Sequence, residues 1–354
     1  MLAVLDRPVC RQFEFVAVAP SEGPLTEALD ARGIRRVPLQ LRDGDEKRLP
    51  RDVVCENLRG AIAAVSPQIV HANSLSMGRL TGAIADEFSI PTIAHLRDII
   101  KLSRAAVDDL NRNRLLIAVS EATRDFHVAQ NLDAERTRVL YNGVNCAEFC
   151  PRPPTGRLKR ELGLPDDAIL VVTIGQIGLR KGQNVLAEAA VRVAENASDV
   201  HYLLVGMRNS SKQESIDFES NLIAGFESAG LGDRLHRLGY RDDVAWIMNE
   251  ADLLVHPAHQ EPLGRVLLEA AAAGLPIVAT DVGGTSEIVE DGISARLIPP
   301  NDPALLASAI TELRSDEVLR ERLAASARSR AESTFDIDAA ARALCRVWGE
   351  IGGE

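Results

Sequence analysis

Twelve short apolar, β-branched runs, each followed by a longer stretch of helical patterning, leave this chain little room for any fold but parallel β-sheets joined by helices. In the first half the runs lie near 13–19, 35–41, 68–73, 91–96, 115–120 and 137–141. In the second half they lie near 168–174, 201–205, 235–238, 252–256, 276–280 and 295–298. Several are apolar throughout, such as Ala168-Ile169-Leu170-Val171-Val172 and Leu253-Leu254-Val255, which suits strands covered on both faces. A length of 354 residues is too great for one ordinary core and about right for two α/β domains.

The break between halves is Cys150-Pro151-Arg152-Pro153-Pro154-Thr155-Gly156, where three prolines and a glycine cannot continue an element and read as a linker. This predicts domains over 1–150 and 151–335, with a last helix, about 336–354, packing back on the first. The start is irregular. A doubly wound domain opens with a strand and a glycine-rich turn facing the ligand. Here Leu2 to Leu5 reads as the tail of a helix, and the strand Phe13-Glu14-Phe15-Val16-Ala17-Val18 follows at once. The expected opening strand and its Gly-rich loop have no counterpart.

A net charge of −11 argues against nucleic acid as a partner, because phosphate backbones need a basic face. Five scattered cysteines, odd in number and outside any CxxC pair, form neither a disulfide framework nor a zinc site. No apolar run approaches the ~20 residues that cross a bilayer, and no signal peptide is evident. The expected location is therefore the cytoplasm, with peripheral contact at the inner membrane face left open.

Chemistry concentrates between Glu261 and Glu287. The strand near 252–256 ends at Pro257, and a short loop turns into a helix beginning near Leu263. The amides of Gly264, Arg265 and Val266, with the helix dipole, would offer a site for a phosphate or diphosphate. Glu261 and Glu269 are separated by up to ~12 Å at the helical rise, and side chains lean toward the N-terminus, so both can face one side. Beside a diphosphate a carboxylate is repulsive, so each is expected to grip hydroxyls. Two glutamates flanking an ordinary solvated helix is the bland alternative. The next strand leads to Val282-Gly283-Gly284-Thr285-Ser286-Glu287, a Gly-Gly turn and a helix start capped by Thr285 or Ser286. Earlier, Gly175-Gln176-Ile177-Gly178-Leu179-Arg180-Lys181-Gly182 follows a strand and fits neither GxGxxG nor a P-loop, yet supplies two cations for an anion. Taken alone, Lys181 reads as a surface lysine, and His71 and His256 as satisfied structural histidines.

The order Gly175…Lys181-Gly182, then Leu238-Gly239-Tyr240-Arg241-Asp242-Asp243-Val244, then Glu261-Pro262-Leu263-Gly264-Arg265-Val266-Leu267-Leu268-Glu269-Ala270, then Val282 to Glu287 resembles glycosyltransferase family 4, the glycosyl transferases group 1. Val119-Ser120-Glu121 and Leu140-Tyr141-Asn142-Gly143-Val144-Asn145 are similar to the closing strands of that family's first domain. The resemblance covers about 13–345. It implies two Rossmann-like domains facing a cleft (the GT-B fold), the first binding acceptor and the second a nucleotide sugar donor. It further implies that Glu261 holds the transferred sugar and Glu269 the ribose. Lys181, helped by the amides of Gly264 to Val266, would neutralise the leaving diphosphate. Gly175, Gln176, Arg180 and Leu263 would line the donor site, with backbone at Tyr240 and Arg241 around the base. Gln176 replaces a usual arginine, so Arg180 is the candidate second cation. Arg97, in His95-Leu96-Arg97-Asp98, stands where many members have a histidine near the sugar, and Asn145 replaces a common aspartate.

The implied reaction is retaining transfer to a glycan, lipid-linked or small-molecule acceptor, by front-face displacement, with neither metal nor cofactor. Asp43-Gly44-Asp45 matches a metal-binding DxD by chance. Two alternatives stand beside this reading. One is a non-catalytic sugar-nucleotide binder derived from such an enzyme. The other is a nicotinamide-dependent dehydrogenase, disfavoured by the missing GxGxxG.

Overall fold

The computed structural model describes residues 1–44 and 47–353. The chain divides into two compact units, Met1–Gly143 with Ile337–Glu354, and Val144–Asp336.

The second unit is a doubly wound α/β domain. Its strands are β7 (Ile169–Ile174), β8 (Val200–Val205), β9 (Leu235–Gly239), β10 (Leu253–His256), β11 (Ile277–Thr280) and β12 (Arg296–Ile298). They form one parallel sheet in the order β12-β11-β10-β7-β8-β9. β7 and β10 are buried along nearly their whole length, as uniformly apolar strands covered by helices on both faces must be. The helices Gln183–Ala194 and Pro303–Ser315 supply Leu186, Ala190, Leu306 and Ile310 to the core against Val171, Val255 and Val278. From β7 the chain winds one way to β8 and β9, then returns to place β10, β11 and β12 on the other side. Strand order therefore reverses between β7 and β10, and the carboxyl ends of that pair are the position at which doubly wound sheets generally bind ligands.

The first unit carries β1 (Val16–Ala19) and β2 (Arg35–Pro38) as a parallel pair. A separate parallel sheet has the order β3 (Val70–Ala72), β4 (Thr92–Leu96), β5 (Leu115–Ala118), β6 (Thr137–Val139). All twelve strands fall within three residues of the sequence expectation. The first is shorter than expected because Phe13 and Phe15 leave the ladder and set their rings edge-on to Trp348, 5.4 Å away in each case. Trp348 belongs to the helix Ile337–Gly352, which packs on Ile93, Leu115, Ile117 and the opening helical turns at Leu2–Leu5 and Pro8–Gln12. In that core Cys10 and Cys345 stand 3.5 Å apart as free thiols, which their separation in sequence concealed.

The division of the chain falls at Gly143–Val144, ahead of the Pro-rich run. Val144 donates its N–H to Phe335 O at 2.8 Å, and Arg328 donates to the carbonyls of Phe149, Cys146 and Ala272. These bonds tie residues 144–150 to the second unit. The prolines then run along that unit, where Arg152 N–H reaches Asn249 Oδ1 and Thr155 N–H reaches Glu250 Oε1, both at 2.7 Å.

Candidate functional site

Two loops meet where the strand order reverses. One leaves β7 and runs from Gly175 to Gly182; the other leaves β10 and runs from Pro257 to Glu261. They are fastened by one backbone and one side-chain donor: His259 N–H donates to Arg180 O at 2.9 Å, and Arg180 Nη1 donates to Gln260 O at 3.3 Å. Gly182 makes this approach feasible. Its φ of +64° suits glycine, and a Cβ there would lie 1.9 Å from Pro257 O. Gly175, at φ +139°, leaves room for the Lys181 side chain beside it.

Docked in this way, Lys181 Nζ stands 2.6 Å from Glu261 Oε2, and His256 Nε2 stands 2.9 Å from the same oxygen. All three side chains are largely buried, at 16%, 8% and 2% exposure for Lys181, Glu261 and His256. Burial pushes the Glu261 carboxyl up, but the hydrogen bond from His256 and the charge of Lys181 outweigh it and bring it down to about 2. Burial also holds His256 below its usual range despite the carboxylate. Burial keeps the imidazole neutral, and its hydrogen bond together with the charge of Lys181 keeps Glu261 ionised. The loop behind Glu261 is held as well, since Gly284 N–H donates to Glu261 O at 3.0 Å.

The helix after this loop spans Arg265–Ala273, two residues later than expected, with Gly264 as its N-cap at φ +106°. Gly264 therefore lies outside the helix. The amides of Arg265 and Val266 are the ones without an intrahelical acceptor, and they carry the dipole's positive end. Glu269 lies one turn in. Its carboxylate is 16% exposed and 3.3 Å from Arg265 Nε, the latter almost wholly in solvent. Burial pushes Glu269 up to about 7, with Arg265 opposing and Glu148 adding to the rise. The two glutamates thus differ sharply: Glu261 is a fixed anion, while Glu269 is poised to titrate.

The Gly-Gly turn is as expected, but its cap is not. The short helix Thr285–Ile288 has Gly284 at its N-cap and no side-chain capping bond. Thr285 is already the first helical residue, and its buried hydroxyl has no hydrogen-bond partner, while the Gly284 N–H donates to the Glu261 carbonyl.

The remaining expected residues divide between the two units. Leu263 and Val266 are buried beneath the loop, while Gln176 and Arg180 are exposed at its mouth. The Gln176 carbonyl accepts from Gln183 Nε2 at 3.0 Å. Just past edge strand β9, Tyr240 is 74% exposed. Arg241 is clamped by Asp243 and stacks over Trp246, whose ring Arg157 also covers. Arg97 belongs to the first unit, beyond the end of β4, where it donates to Asn73 at 3.1 Å and Asn142 at 3.0 Å and approaches His95 at 3.3 Å. His71, in the middle of β3, accepts from Trp348 Nε1 at its Nδ1 at 2.9 Å, but its buried Nε2 has no hydrogen-bond partner, so the expectation of a satisfied structural histidine is met at one ring nitrogen and not at the other. His256 meets Glu261 through its Nε2, and reading it as merely structural missed that contact. Asp43 accepts from Lys47 N at 2.9 Å, and Asp45 lies outside the described residues. Among the described residues no group of three or more His, Cys, Asp or Glu could hold a metal ion, and no helix is long and apolar enough to cross a membrane.

The chain is similar to known proteins over most of its length. The family profile described as Glycosyl transferases group 1 matches residues 155–330, and that described as Glycosyltransferase Family 4 matches residues 9–148. A D-inositol 3-phosphate glycosyltransferase of Xylanimonas cellulosilytica is 26% identical, over 94% of this chain and 85% of its own length. Another, of Geodermatophilus obscurus, is 31% identical over 74% of this chain and 62% of its own. Among solved structures, Anabaena HepE in complex with UDP-glucose is similar with a TM-score of 0.87 at 24% identity, covering 99% and 95% of the two chains. Sucrose-phosphate synthase from Thermosynechococcus elongatus gives 0.77 at 20% identity, covering 96% and 98%. At such identities the structures speak to the fold alone, which is GT-B. With one profile on each half and the Glu261 to Glu269 spacing at the head of its helix, the chain belongs to the group 1, family 4 type of glycosyltransferases.

Proposed function

We propose that this enzyme is a retaining, metal-independent transferase that moves a sugar from a nucleoside diphosphate sugar to a hydroxyl of a glycan, lipid-linked or small-molecule acceptor. The observation that carries this reading is the buried Glu261 carboxylate, held ionised by Lys181 at 2.6 Å beside the amino end of the helix Arg265–Ala273. An anion fixed in a dry setting accepts hydrogen bonds from sugar hydroxyls, and the cations and helix end beside it favour a diphosphate. The names of similar proteins support it: HepE is described with UDP, glucose and UDP-glucose, and the curated relatives as glycosyltransferases of an inositol phosphate.

In this scheme Glu261 holds the transferred sugar and Glu269 the ribose. Arg180, Lys181 and the amides of Arg265 and Val266 face the diphosphate. Gly175, Gln176 and Leu263 line the donor site, and Tyr240 and Arg241 border the base. The bond from the anomeric carbon to the diphosphate breaks, and its electron pair leaves on the phosphate oxygen. The acceptor oxygen bonds to the same face of that carbon, and its proton passes to the departing phosphate. Charge grows on the leaving group, so pre-placed cations and helix amides stabilise the transition state more than the ground state. The acceptor side is assigned to the first unit, with Arg97 and its asparagine partners as the residues to probe.

A thermal-shift panel of UDP-glucose, GDP-mannose and ADP-glucose tests the donor. We expect one nucleotide to stabilise the protein clearly above the others, and transfer that is retained in EDTA with the anomeric configuration preserved by NMR. Stabilisation by none would remove the reading. An inverted product would remove the retaining mechanism.

A further inference from the structure

Glu261 has two carboxylate oxygens, and both of its side-chain donors sit on one of them. Lys181 Nζ and His256 Nε2 lie 2.6 and 2.9 Å from Oε2. Neither of them claims Oε1. An ammonium only donates and an ionised carboxylate only accepts, so His256 carries its proton on Nε2 and is a donor in this contact. It is 1% exposed at the end of β10, a central strand, and its backbone is fixed by the ladder to β11. The charged groups facing it are Glu261, Lys181 and Arg180.

Lys181 cannot serve two anions at once. A diphosphate arriving at the loop from Gly175 to Gly182 competes with Glu261 for the same ammonium. When Lys181 turns to the phosphate, Glu261, itself only 8% exposed on its side chain, loses one of its two donors. A buried carboxylate with no donor would take a proton or rotate, and its grip on a hydroxyl would be lost.

We propose that His256 is the positioning residue of the donor site: it keeps hold of Glu261 Oε2 while Lys181 exchanges the carboxylate for the diphosphate, so that Oε1 stays turned to the sugar hydroxyl. This rests on the reading that Glu261 holds the transferred sugar. It also separates two contributions to binding. The nucleoside diphosphate is held without His256, whereas the sugar depends on it.

The test compares His256→Leu, which has no donor, with His256→Gln, whose amide reaches a similar distance, and His256→Asn, whose amide falls short. The probes are whichever of UDP-glucose, GDP-mannose and ADP-glucose stabilises the native protein most, and the corresponding free nucleoside diphosphate. His256→Leu is expected to lose about 10- to 100-fold in kcat and in affinity for the sugar nucleotide, with the free diphosphate bound within about twofold of normal. His256→Gln is expected to recover most of the loss and His256→Asn little. Should the leucine variant not fold, the Gln and Asn pair decides by itself. Equal behaviour of Gln and Asn, an unchanged leucine variant, or a parallel loss of sugar nucleotide and free diphosphate would each overturn the proposal. Glu261→Gln separates the two readings. If it loses the sugar's contribution and His256→Leu does not, only this inference fails; if no probe binds the native protein, both fail.

Discussion

Lys181 and Glu261, 80 positions apart in the chain, meet at 2.6 Å with their side chains 16% and 8% exposed. Neither charge would be comfortable there alone, because each has given up most of its water. Removing one partner strands the other. We expect Lys181→Met and Glu261→Gln each to cost about 2–3 kcal/mol of stability, and the double variant to cost clearly less than their sum. Urea unfolding at pH 7 provides the comparison, and strictly additive losses would mean that the contact is not an energetic pair.

Glu269 gives the site a pH dependence whose direction can be worked out. Burial raises its carboxyl from 4.5 to about 7 in the folded chain. A raised carboxyl contributes stability that is fully present below 4.5 and is lost as pH climbs through 7. Relative to Glu269→Gln, the native protein should therefore lose up to about 3 kcal/mol across that window and little beyond it. Donor binding should move the opposite way. Ribose hydroxyls donate best to the ionised form, so native affinity rises from pH 6 to pH 8 while that of the glutamine variant stays level. Calorimetric titrations showing a flat native profile would remove the ribose assignment.

Gly182 and Gly230 form a matched comparison. Both have positive φ, +64° and +71°, but a Cβ meets Pro257 O at 1.9 Å in the first case and nothing within 4 Å in the second. Gly230→Ala should cost about 1–2 kcal/mol from backbone conformation alone. Gly182→Ala should cost at least about 2 kcal/mol more, because a backbone oxygen cannot step aside as a flexible side chain can. It should also weaken donor binding by lifting Lys181 off Glu261. Similar melting temperatures for the two variants would show that the loops are not docked as described.

Arg328 joins three carbonyls, those of Cys146, Phe149 and Ala272, with a guanidinium 19% exposed. Arg328→Ala should destabilise the second unit by about 2–4 kcal/mol, since three acceptors lose a charged donor together. A lysine is a point charge without the fork and should restore less than half of the loss. Thermal melts of the two variants would settle the matter, and a lysine variant as stable as the native protein would contradict it.

Much of this was readable from the chain. Strands such as Leu170 to Ile174 and Leu253 to Val255 declare themselves because full burial demands unbroken apolar runs, and periodicity reports burial directly. The candidate residues Glu261 and Glu269 could be singled out because their spacing on one loop and one helix is local. What escaped were the contacts that only the folded chain makes, near in sequence as well as far. Nothing near His256 marks it as a partner of Glu261 rather than of a backbone group. Cys10 and Cys345 look isolated because only the packing of the helix Ile337–Gly352 on the opening turns unites them. The cap at Thr285 or Ser286 failed because the chain enters the helix earlier than hydroxyl propensity suggests: Gly284 takes the N-cap position and Thr285 is already helical. The Pro-rich run misplaced the division of the chain because proline reports local conformation, whereas membership of a unit is decided by contacts such as those of Arg328.

The strand order of the second unit places the loops bearing Lys181 and Glu261 after adjacent strands at the middle of the sheet, and Tyr240 after a strand at its margin. A margin can be rebuilt by drift with little consequence, because only one neighbouring strand must accommodate the change. The middle is locked from both sides. On the function proposed above, selection for a new nucleotide works on the periphery while the transfer chemistry is inherited intact, and diversification follows the architecture outward from β7 and β10.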